Sequence, residues 1–355
     1  MKLLIITQKV DINDSNLGFF HTWLKKLAEQ VEQLYVICLE KGSFDLPNNV
    51  TVLSLGKEER VSRWQYLKRF YQYIFKYRQE YDGVFVHMNP EYAVLGGPLW
   101  RRWHKKVLLW YTHKAVNLKL RLAEKFVNKI FTASKESFRL SSKKVEVVGH
   151  GIPVENFSNI LISPPADRLT IISVGRISAT KKHTLIVQAI DILRKKLNHV
   201  NIVFRIFGST VTKEDDGTAT ALSSKLVGEG RSAVVIATNS AAYSVMPQVY
   251  QEHQLFVHAS DTGSLDKVVL EALAAGRVVV TSSEAYASLA DGELKGIIFH
   301  VPPGDYQELA KTIEKIYQSG ILAPDKLPNQ KAIEYVRKHH NLDTLITKIV
   351  NYFAL

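Results

Sequence analysis

The chain has 355 residues, of which 46% are hydrophobic and 23% are charged, with 19 Gly and 11 Pro. These values exclude intrinsic disorder, collagen-like repeats and coiled coil as the main state of the chain. The single cysteine, Cys38, excludes an internal disulfide framework and a cysteine-cluster metal site, and it favours a reducing, cytoplasmic compartment. No apolar run approaches the roughly 18 residues that a membrane-spanning helix needs.

The positive charge is concentrated in the first half of the chain. Residues 1–165 hold 25 Lys and Arg against 15 Asp and Glu, while the whole chain carries a formal net charge of +12. A basic half predicts an anionic partner, which leaves a membrane surface, a phosphorylated substrate and nucleic acid as the candidates.

Short apolar runs rich in β-branched residues alternate with helical-period segments along the whole chain. Because most of these runs are apolar throughout, they predict parallel strands that are buried on both faces of a sheet and joined by helices. In the first half the predicted strands are Leu3–Thr7, Leu34–Cys38, Val50–Ser54, Gly83–His87, Val107–Thr112, Ile130–Ala133 and Val145–Val148. In the second half they are Leu169–Val174, Ile202–Phe207, Ala233–Ala237, Leu255–His258, Val278–Ser282 and Gly296–His300.

The alternation restarts near residue 168, which predicts two domains. The preceding stretch, residues 153–165, contains three prolines and no helical period, so we interpret it as a linker. The sequence therefore predicts two doubly wound α/β domains, residues 1–165 and 166–338. A C-terminal helix in residues 339–355 is expected to return to the first domain.

The segment Arg63–Arg78 predicts an amphipathic helix in the basic half. At 100° per residue, Trp64, Phe70 and Ile74 fall on the stripe that should face the core. The opposite face carries Lys and Arg flanked by tyrosines, and the segment Trp100–Lys106 repeats this mixture of aromatic and basic residues. That composition favours contact with an anionic membrane, and a basic face that serves only solubility is the alternative.

The strongest local signal is the segment Thr262–Gly276. It follows the strand Leu255–His258 directly, so it predicts a strand-turn-helix at the carboxyl edge of a parallel sheet, where open α/β sheets bind ligands. Ser264 and Asp266 suit a helix start, whose free N–H groups can hold a phosphate. Glu271 lies among apolar residues of the same helix, which favours a binding role over the alternative of a solvated helix residue.

A second signal follows the strand that ends before Gly175. Arg176 and Lys181 come between this strand and the helix Thr184–Leu193. Arg can bind a phosphate through two hydrogen bonds, and Lys adds a point charge. Together with the Glu271 segment, these cations predict a site for a nucleotide diphosphate.

These motifs resemble those of the family 4 retaining glycosyltransferases, which have the GT-B fold. Gly175, Arg176 and Lys181 match the family's G-R-x-x-x-x-K diphosphate clamp, and Glu271–Gly276 matches its E-A-x-x-x-G element. Residues 147–157 resemble the V-x-x-N-G-V-D-x-x-x-F turn of the family, with His150 where Asn is usual. The resemblance covers nearly the whole chain and implies two Rossmann-like domains whose parallel sheets face each other across a cleft.

The resemblance also implies an activity, which is transfer of a sugar from a nucleotide-diphosphate sugar, UDP- or GDP-linked, to a glycan or lipid-linked acceptor. The implied reaction retains anomeric configuration, needs neither cofactor nor metal, belongs to glycan or polysaccharide biosynthesis and takes place in the cytoplasm or at the inner face of the membrane. Nucleic acid is not an expected partner. The expected donor-binding residues are Arg176, Lys181, Gly263, Ser264, Leu265 and Glu271. The expected catalytic residues are His113 and Asp266, and the expected acceptor-binding residues are Gly18, His87 and Asn89.

One departure from the family pattern bears on activity. Gly263 stands where the family has the first Glu of its E-x7-E motif, a residue that contacts donor-sugar hydroxyls. Asp266 can return a carboxylate to the site, and the alternative is an Asp that only stabilises the helix start. For His113 the alternative to a catalytic role is a structural one. The alternative function is therefore a non-catalytic GT-B subunit that binds a nucleotide sugar or supports a partner glycosyltransferase.

Overall fold

A computed structural model describes residues 1–160, 162–210, 212–225, 234–237 and 242–354. The chain forms two compact units, Met1–Gly151 with His340–Leu355, and Ile152–His339. Ala233, at the start of one predicted strand, and Leu355, at the end of the predicted C-terminal helix, lie outside the described residues.

Unit one is built on a parallel sheet of seven strands in the order β3-β2-β1-β4-β5-β6-β7. These strands are β1 (Lys2–Val10), β2 (Gln33–Lys41), β3 (Val50–Ser54), β4 (Gly83–His87), β5 (Lys106–Trp110), β6 (Lys129–Thr132) and β7 (Val145–Val147). In β1, Leu3 and Ile5 join one core cluster while Leu4 and Ile6 join another, so successive side chains are buried on opposite faces. This is why residues 3–6 of the strand are all apolar.

Helices cover both faces of this sheet. They are α1 (Gly18–Ala28), α2 (Arg63–Lys76), α3 (Pro90–Arg102) and α4 (Leu118–Phe126). Helix α1 packs its Trp23 and Leu24 into the core of one face, and α2, α3 and α4 pack on the other face. The sheet is therefore doubly wound.

The described part of unit two contains a parallel sheet of six strands in the order β10-β9-β8-β11-β12-β13. These strands are β8 (Arg168–Val174), β9 (Asn201–Phe207), β10 (Val234–Ala237), β11 (Leu255–His258), β12 (Val278–Thr281) and β13 (Ile298–His300). The helices of this unit are α5 (Val154–Ser158), α6 (His183–Lys196), α7 (Lys213–Lys225), α8 (Met246–Gln251), α9 (Lys267–Ala274), α10 (Ala287–Asp291), α11 (Tyr306–Gln318) and α12 (Gln330–His340). The final helix, α13 (Leu342–Ala354), buries Leu345, Ile346 and Ile349 in the same cluster of unit one as α1.

The predicted linker is wrong in its placement. Residues 152–165 belong to unit two, and α5 buries Val154 and Phe157 in the core of that unit. The sequence stretch looked like a linker because it is rich in proline, but its apolar residues anchor it against α8 and α9. The boundary therefore lies at Gly151, before the predicted position.

The predicted core stripe of α2 is also wrong at the two ends of the helix. Phe70 and Ile74 are buried, but Trp64 is 81% exposed and Phe75 is 43% exposed. The helical wheel predicts the buried side of α2 correctly, but only the central turns of the helix pack against the sheet. The tyrosines that were expected to face a membrane, Tyr66, Tyr73 and Tyr77, instead pack partly buried against the core of unit one.

Across the described residues, we find no helix with the length and apolar character that crossing a bilayer requires.

Candidate functional site

The carboxyl edge of the unit-two sheet carries the candidate site. Strands β8 and β11 are neighbours in this sheet, but the chain runs from β8 outward to β9 before it returns to form β11. Such a reversal of strand order is where open α/β sheets bind ligands, because the loops after the two strands diverge. The β8–α6 turn and the β11–α9 turn meet at this position.

The β8–α6 turn depends on two glycines that pack together. Gly175 has a φ of +143°, which favours glycine, and its N–H donates to the Phe207 carbonyl over 2.9 Å. A Cβ placed on Gly208 would lie 1.9 Å from the Gly175 oxygen, so a side chain cannot be accommodated there. The turn then presents Arg176, whose side chain is 46% exposed and whose Nε lies 3.9 Å from Asp215 Oδ2.

Lys181, at the end of the same turn, is paired with Asp266. Its Nζ lies 2.6 Å from Asp266 Oδ2, and both side chains are largely buried. Asp266 stands at the N-cap position of α9, yet its side chain makes no capping hydrogen bond to that helix. Its Oδ2 also lies 2.8 Å from His258 Nε2, and its Oδ1 accepts a hydrogen bond from Ser264 Oγ over 3.1 Å.

These partners keep Asp266 ionised. Burial by itself would raise the pKa of Asp266, but the hydrogen bond to His258 and the charge of Lys181 outweigh burial and hold the pKa well below its ordinary value. His258 is in turn fixed by Thr281, because its Nδ1 lies 3.1 Å from the Thr281 hydroxyl oxygen. The cluster thus joins the ends of β11 and β12 to both turns.

Glu271 lies inside α9 and is 3% exposed, so the alternative of a solvated helix residue is excluded. Its Oε1 lies 3.0 Å from Lys267 Nζ, and its Oε2 accepts a hydrogen bond from the Tyr250 hydroxyl over 3.1 Å. Lys267 also lies over the ring of Tyr243, at 4.3 Å from its centroid. Burial lowers the pKa of Lys267 to about 8, although the charge of Glu271 opposes this shift.

The β11–α9 turn contains the other expected donor-binding residues. Gly263 has a φ of +55°, and Ser264 Oγ lies 3.0 Å from the Thr262 hydroxyl oxygen and 3.1 Å from Asp266 Oδ1. Leu265 is buried in the core of unit two, so its side chain supports the turn from below. A ligand at this turn would therefore meet backbone groups and hydroxyls before it met Leu265.

In unit one, the expected acceptor-binding residues and His113 lie at or after the ends of β1, β4 and β5, which are neighbours in the sheet. His113 is exposed, and its Nδ1 accepts a hydrogen bond from the Ala115 N–H over 3.0 Å. In the neutral ring this leaves the proton on Nε2, which can donate to a hydroxyl. Gly18 begins α1, and Asn89 precedes α3 with its Nδ2 donating to the His87 carbonyl.

His87 does not suit the acceptor-binding role expected of it. The ring is 1% exposed, stacks on Phe20 with 3.9 Å between centroids, and has its Nδ1 3.1 Å from Thr7 Oγ1. The residue ends β4 as expected, but its side chain points into the aromatic core against α1. This geometry gives His87 a packing role.

Sequence reasoning missed two residues of the unit-two site. His258 ends β11 at the ligand-binding edge, and that strand-end position was a usable signal. Lys267 precedes Glu271 by four residues, which is the spacing of an ion pair on one helix face. Within the described ranges, no group of three or more His, Cys, Asp or Glu side chains is placed to hold a metal ion.

Comparisons with known proteins give one family match and several proteins of similar fold. Residues 168–319 match the family described as Glycosyl transferases group 1. The whole fold is similar to Alr3699/HepE from Anabaena in complex with UDP, with a TM-score of 0.74 and 16% identity over 100% of both chains. The complex of that protein with UDP-glucose gives a TM-score of 0.72 and 16% identity over 100% of this chain and 99% of the other.

Sucrose-phosphate synthase from Thermosynechococcus elongatus is similar too, with a TM-score of 0.73 and 14% identity over 100% of this chain and 98% of the other. Identities of this size show the fold, which is GT-B with two Rossmann-like α/β units. No curated protein sequence matches the chain.

Proposed function

We propose that the protein transfers a sugar from a nucleotide-diphosphate sugar to an acceptor. The observation that carries this proposal is the meeting of the Arg176–Lys181 turn with the Glu271 helix where the strand order of unit two reverses. The glycosyltransferase family match covers this same region, and a protein of similar fold binds UDP and UDP-glucose. The donor is therefore a UDP- or GDP-linked sugar bound by unit two.

Each unit-two residue has a role that its chemistry supports. Arg176 and Lys181 offset the charge of the diphosphate as it leaves, and backbone N–H groups near Ser264 add to this without a bound metal. Glu271 accepts hydrogen bonds from the ribose hydroxyls. We assign His113 to the reacting sugar, and transfer retains anomeric configuration because the leaving phosphate takes the acceptor proton on the same face.

We further propose that the acceptor is lipid-linked and that unit one contacts an anionic membrane at the inner face of the cell. A pocket of about 440 Å³ in unit one is lined by Arg101, Lys105, Lys106, Lys125 and Lys144, and none of its lining residues, all described, is Asp or Glu. The exposed Phe75 ring packs edge-on against Trp103, which directly follows Arg102, the last residue of α3. Cations beside exposed aromatic rings suit a surface of anionic head groups.

The clamp is tested by nucleotide binding. Arg176→Ala and Lys181→Ala should each weaken UDP or GDP affinity by about 10- to 100-fold, the equivalent of losing one charge-assisted hydrogen bond. Lys182→Ala is the matched control, because this neighbouring Lys pairs with Asp261 at 3.2 Å and not with the site. Calorimetric titration against both nucleotides gives the affinities, and unfolding curves check the fold. Unchanged nucleotide affinity in both variants would show that Arg176 and Lys181 do not bind the diphosphate.

A non-catalytic subunit is the second candidate, and specific observations favour it. Gly263 supplies no carboxylate for the donor sugar, and Lys181 and Glu271 are both paired within the chain. Donor hydrolysis separates the two functions. An enzyme should release free sugar slowly from its own donor without acceptor, whereas a subunit should bind that donor and leave it intact.

A further inference from the structure

Asp266 is the centre of a charged cluster whose members come from four places in the sequence. Lys181 Nζ lies 2.6 Å from its Oδ2 and His258 Nε2 lies 2.8 Å from the same atom. Thr262 and Ser264 add hydroxyl donors at 3.4 Å and 3.1 Å. The carboxylate therefore occupies the anion position that the Lys181 ammonium offers.

The position of Asp266 makes this pairing unusual for a helix start. An Asp at an N-cap ordinarily accepts hydrogen bonds from the first N–H groups of its helix. Asp266 instead turns its side chain toward Lys181 and His258 and makes no such bond. The side chain thus stabilises the two turns rather than α9.

We infer that Asp266 is the resident counter-ion of Lys181, and that the donor diphosphate must displace it, so that Asp266 limits donor affinity. This inference rests on the proposed function. A phosphate oxygen and the Asp266 carboxylate would compete for the same ammonium group, that of Lys181, whose side chain is 18% exposed. Binding of the donor is then an exchange of one anion for another.

The cluster allows such an exchange because Asp266 has a second partner, His258. When Lys181 turns to the diphosphate, Asp266 keeps His258, which Thr281 holds in place through Nδ1. The buried carboxylate is therefore not left without a partner, which would be costly. Lys267 and Glu271 form a comparable ion pair. Lys267 is paired with the Glu271 carboxylate, which is the group proposed to bind ribose.

The test compares UDP and GDP affinities, measured by calorimetry, in three variants. Asp266→Asn removes the charge and keeps the shape, and it should tighten binding about tenfold, because the ammonium no longer has a competing anion. Asp266→Glu keeps the charge and should bind no more tightly than wild type. Asp261→Asn is the control for a general change of charge, because Asp261 pairs with Lys182 at the same edge, and it should bind like wild type.

Weaker or equal binding by Asp266→Asn would overturn the inference and make Asp266 a residue that positions Lys181. Equal tightening by Asp261→Asn would overturn it in favour of a long-range charge effect. If no form of the protein binds either nucleotide, the proposed function fails, and the inference fails with it. Should Asp266→Asn not fold, a crystal structure of the wild type with UDP decides the matter. The Lys181–Asp266 pair is expected to be broken there, and an intact pair would contradict the exchange.

Discussion

Glu271 and Asp266 are carboxylates on one short helix, and each is held by different chemistry. Glu271 is buried between Lys267 and Tyr250, while Asp266 lies between Lys181 and His258. Both belong to the donor site that we propose, yet their partners predict different behaviour. Glu271 is proposed to accept hydrogen bonds from the ribose hydroxyls. Asp266 is inferred to compete with the diphosphate for Lys181.

Replacing Glu271 by Gln should weaken UDP or GDP binding, because a neutral amide accepts hydrogen bonds from ribose hydroxyls less strongly than a carboxylate does. We expect a loss of about 1–2 kcal/mol in nucleotide binding free energy. The 2′-deoxynucleotide provides the control, since it should bind wild type and Glu271→Gln with more similar affinities than the ribonucleotide does. Wild-type protein that binds deoxy and ribo forms equally well would contradict the assignment.

Asp266 should also contribute to stability in a pH-dependent way. Its pKa in the folded protein lies below the ordinary value of 3.8, so the unfolded chain takes up a proton before the folded chain does. The stabilisation is therefore complete above about pH 4 and is lost as the pH falls further.

The measurement is the difference in melting temperature between wild type and Asp266→Asn at several pH values. At neutral pH the variant should be less stable by about 1–3 kcal/mol. The difference should shrink as the pH falls below about 4. A difference that stays constant across the acid range would show that the charge of Asp266 does not stabilise the fold.

At the scale of elements, the β8–α6 turn positions the proposed clamp through backbone contact. Gly208, which directly follows β9, packs against the Gly175 carbonyl so closely that no Cβ fits. Arg176 is the next residue of that turn, so its position depends on a contact made by the neighbouring strand. The turn that we propose to bind phosphate is thus shaped by the close contact between Gly175 and Gly208.

Gly208→Ala should destabilise unit two by about 1–3 kcal/mol, the cost of overpacking a close contact, and should also weaken nucleotide binding. Gly217→Ala is the matched control, because Gly217 lies in α7 with nothing within 4 Å of the added Cβ. This control should be neutral or slightly stabilising, since alanine favours a helix over glycine. Denaturant unfolding and UDP titration of both variants measure the two effects. Equal stability of the two variants would contradict the packing argument.

At the scale of the whole molecule, the charge is divided unevenly. Residues 1–165 contain most of the excess of Lys and Arg, and the basic pocket of unit one lies among them. Trp64, which the helical wheel assigned to the core, is instead exposed on α2 near Lys68. Unit one therefore presents both cations and an exposed indole ring, the two components of peripheral membrane binding.

Replacing Arg101, Arg102, Lys105 and Lys106 by Gln should abolish binding to vesicles of anionic lipid, because each cation contributes about 1 kcal/mol near such a surface. Nucleotide binding should be unaffected, since the donor site that we propose lies in unit two. The control replaces four exposed lysines of unit two with Gln, namely Lys195, Lys326, Lys331 and Lys338. Vesicle co-sedimentation measures binding, which should fall with salt as the Debye length shrinks to about 3 Å at 1 M. If the wild-type protein does not bind anionic vesicles at low salt, the proposed membrane contact is wrong.

Much of the fold followed from local patterns in the sequence. Leu3–Ile6 is apolar at every position, a pattern that favours a strand buried on both faces. Two sets of such runs with helices between them predicted two doubly wound sheets, which the structure confirms. The sequence also predicted Arg176, Lys181 and Glu271 as donor-binding residues, because segments that follow a buried strand must start at the edge of its sheet, and this assignment stays a prediction.

Tertiary structure decided which side chains meet at that edge. Lys181 and Asp266 are 85 positions apart, and their contact arises only because β8 and β11 are neighbours in the sheet. His258 and Thr281 meet in the same way across β11 and β12. Local sequence patterns report burial and helix periodicity, but a pairing between distant turns depends on strand order and on the exact reach of side chains. The sequence thus determined which residues follow the strand ends at the proposed donor site, while the packing of the sheet determined that Lys181 is paired with Asp266.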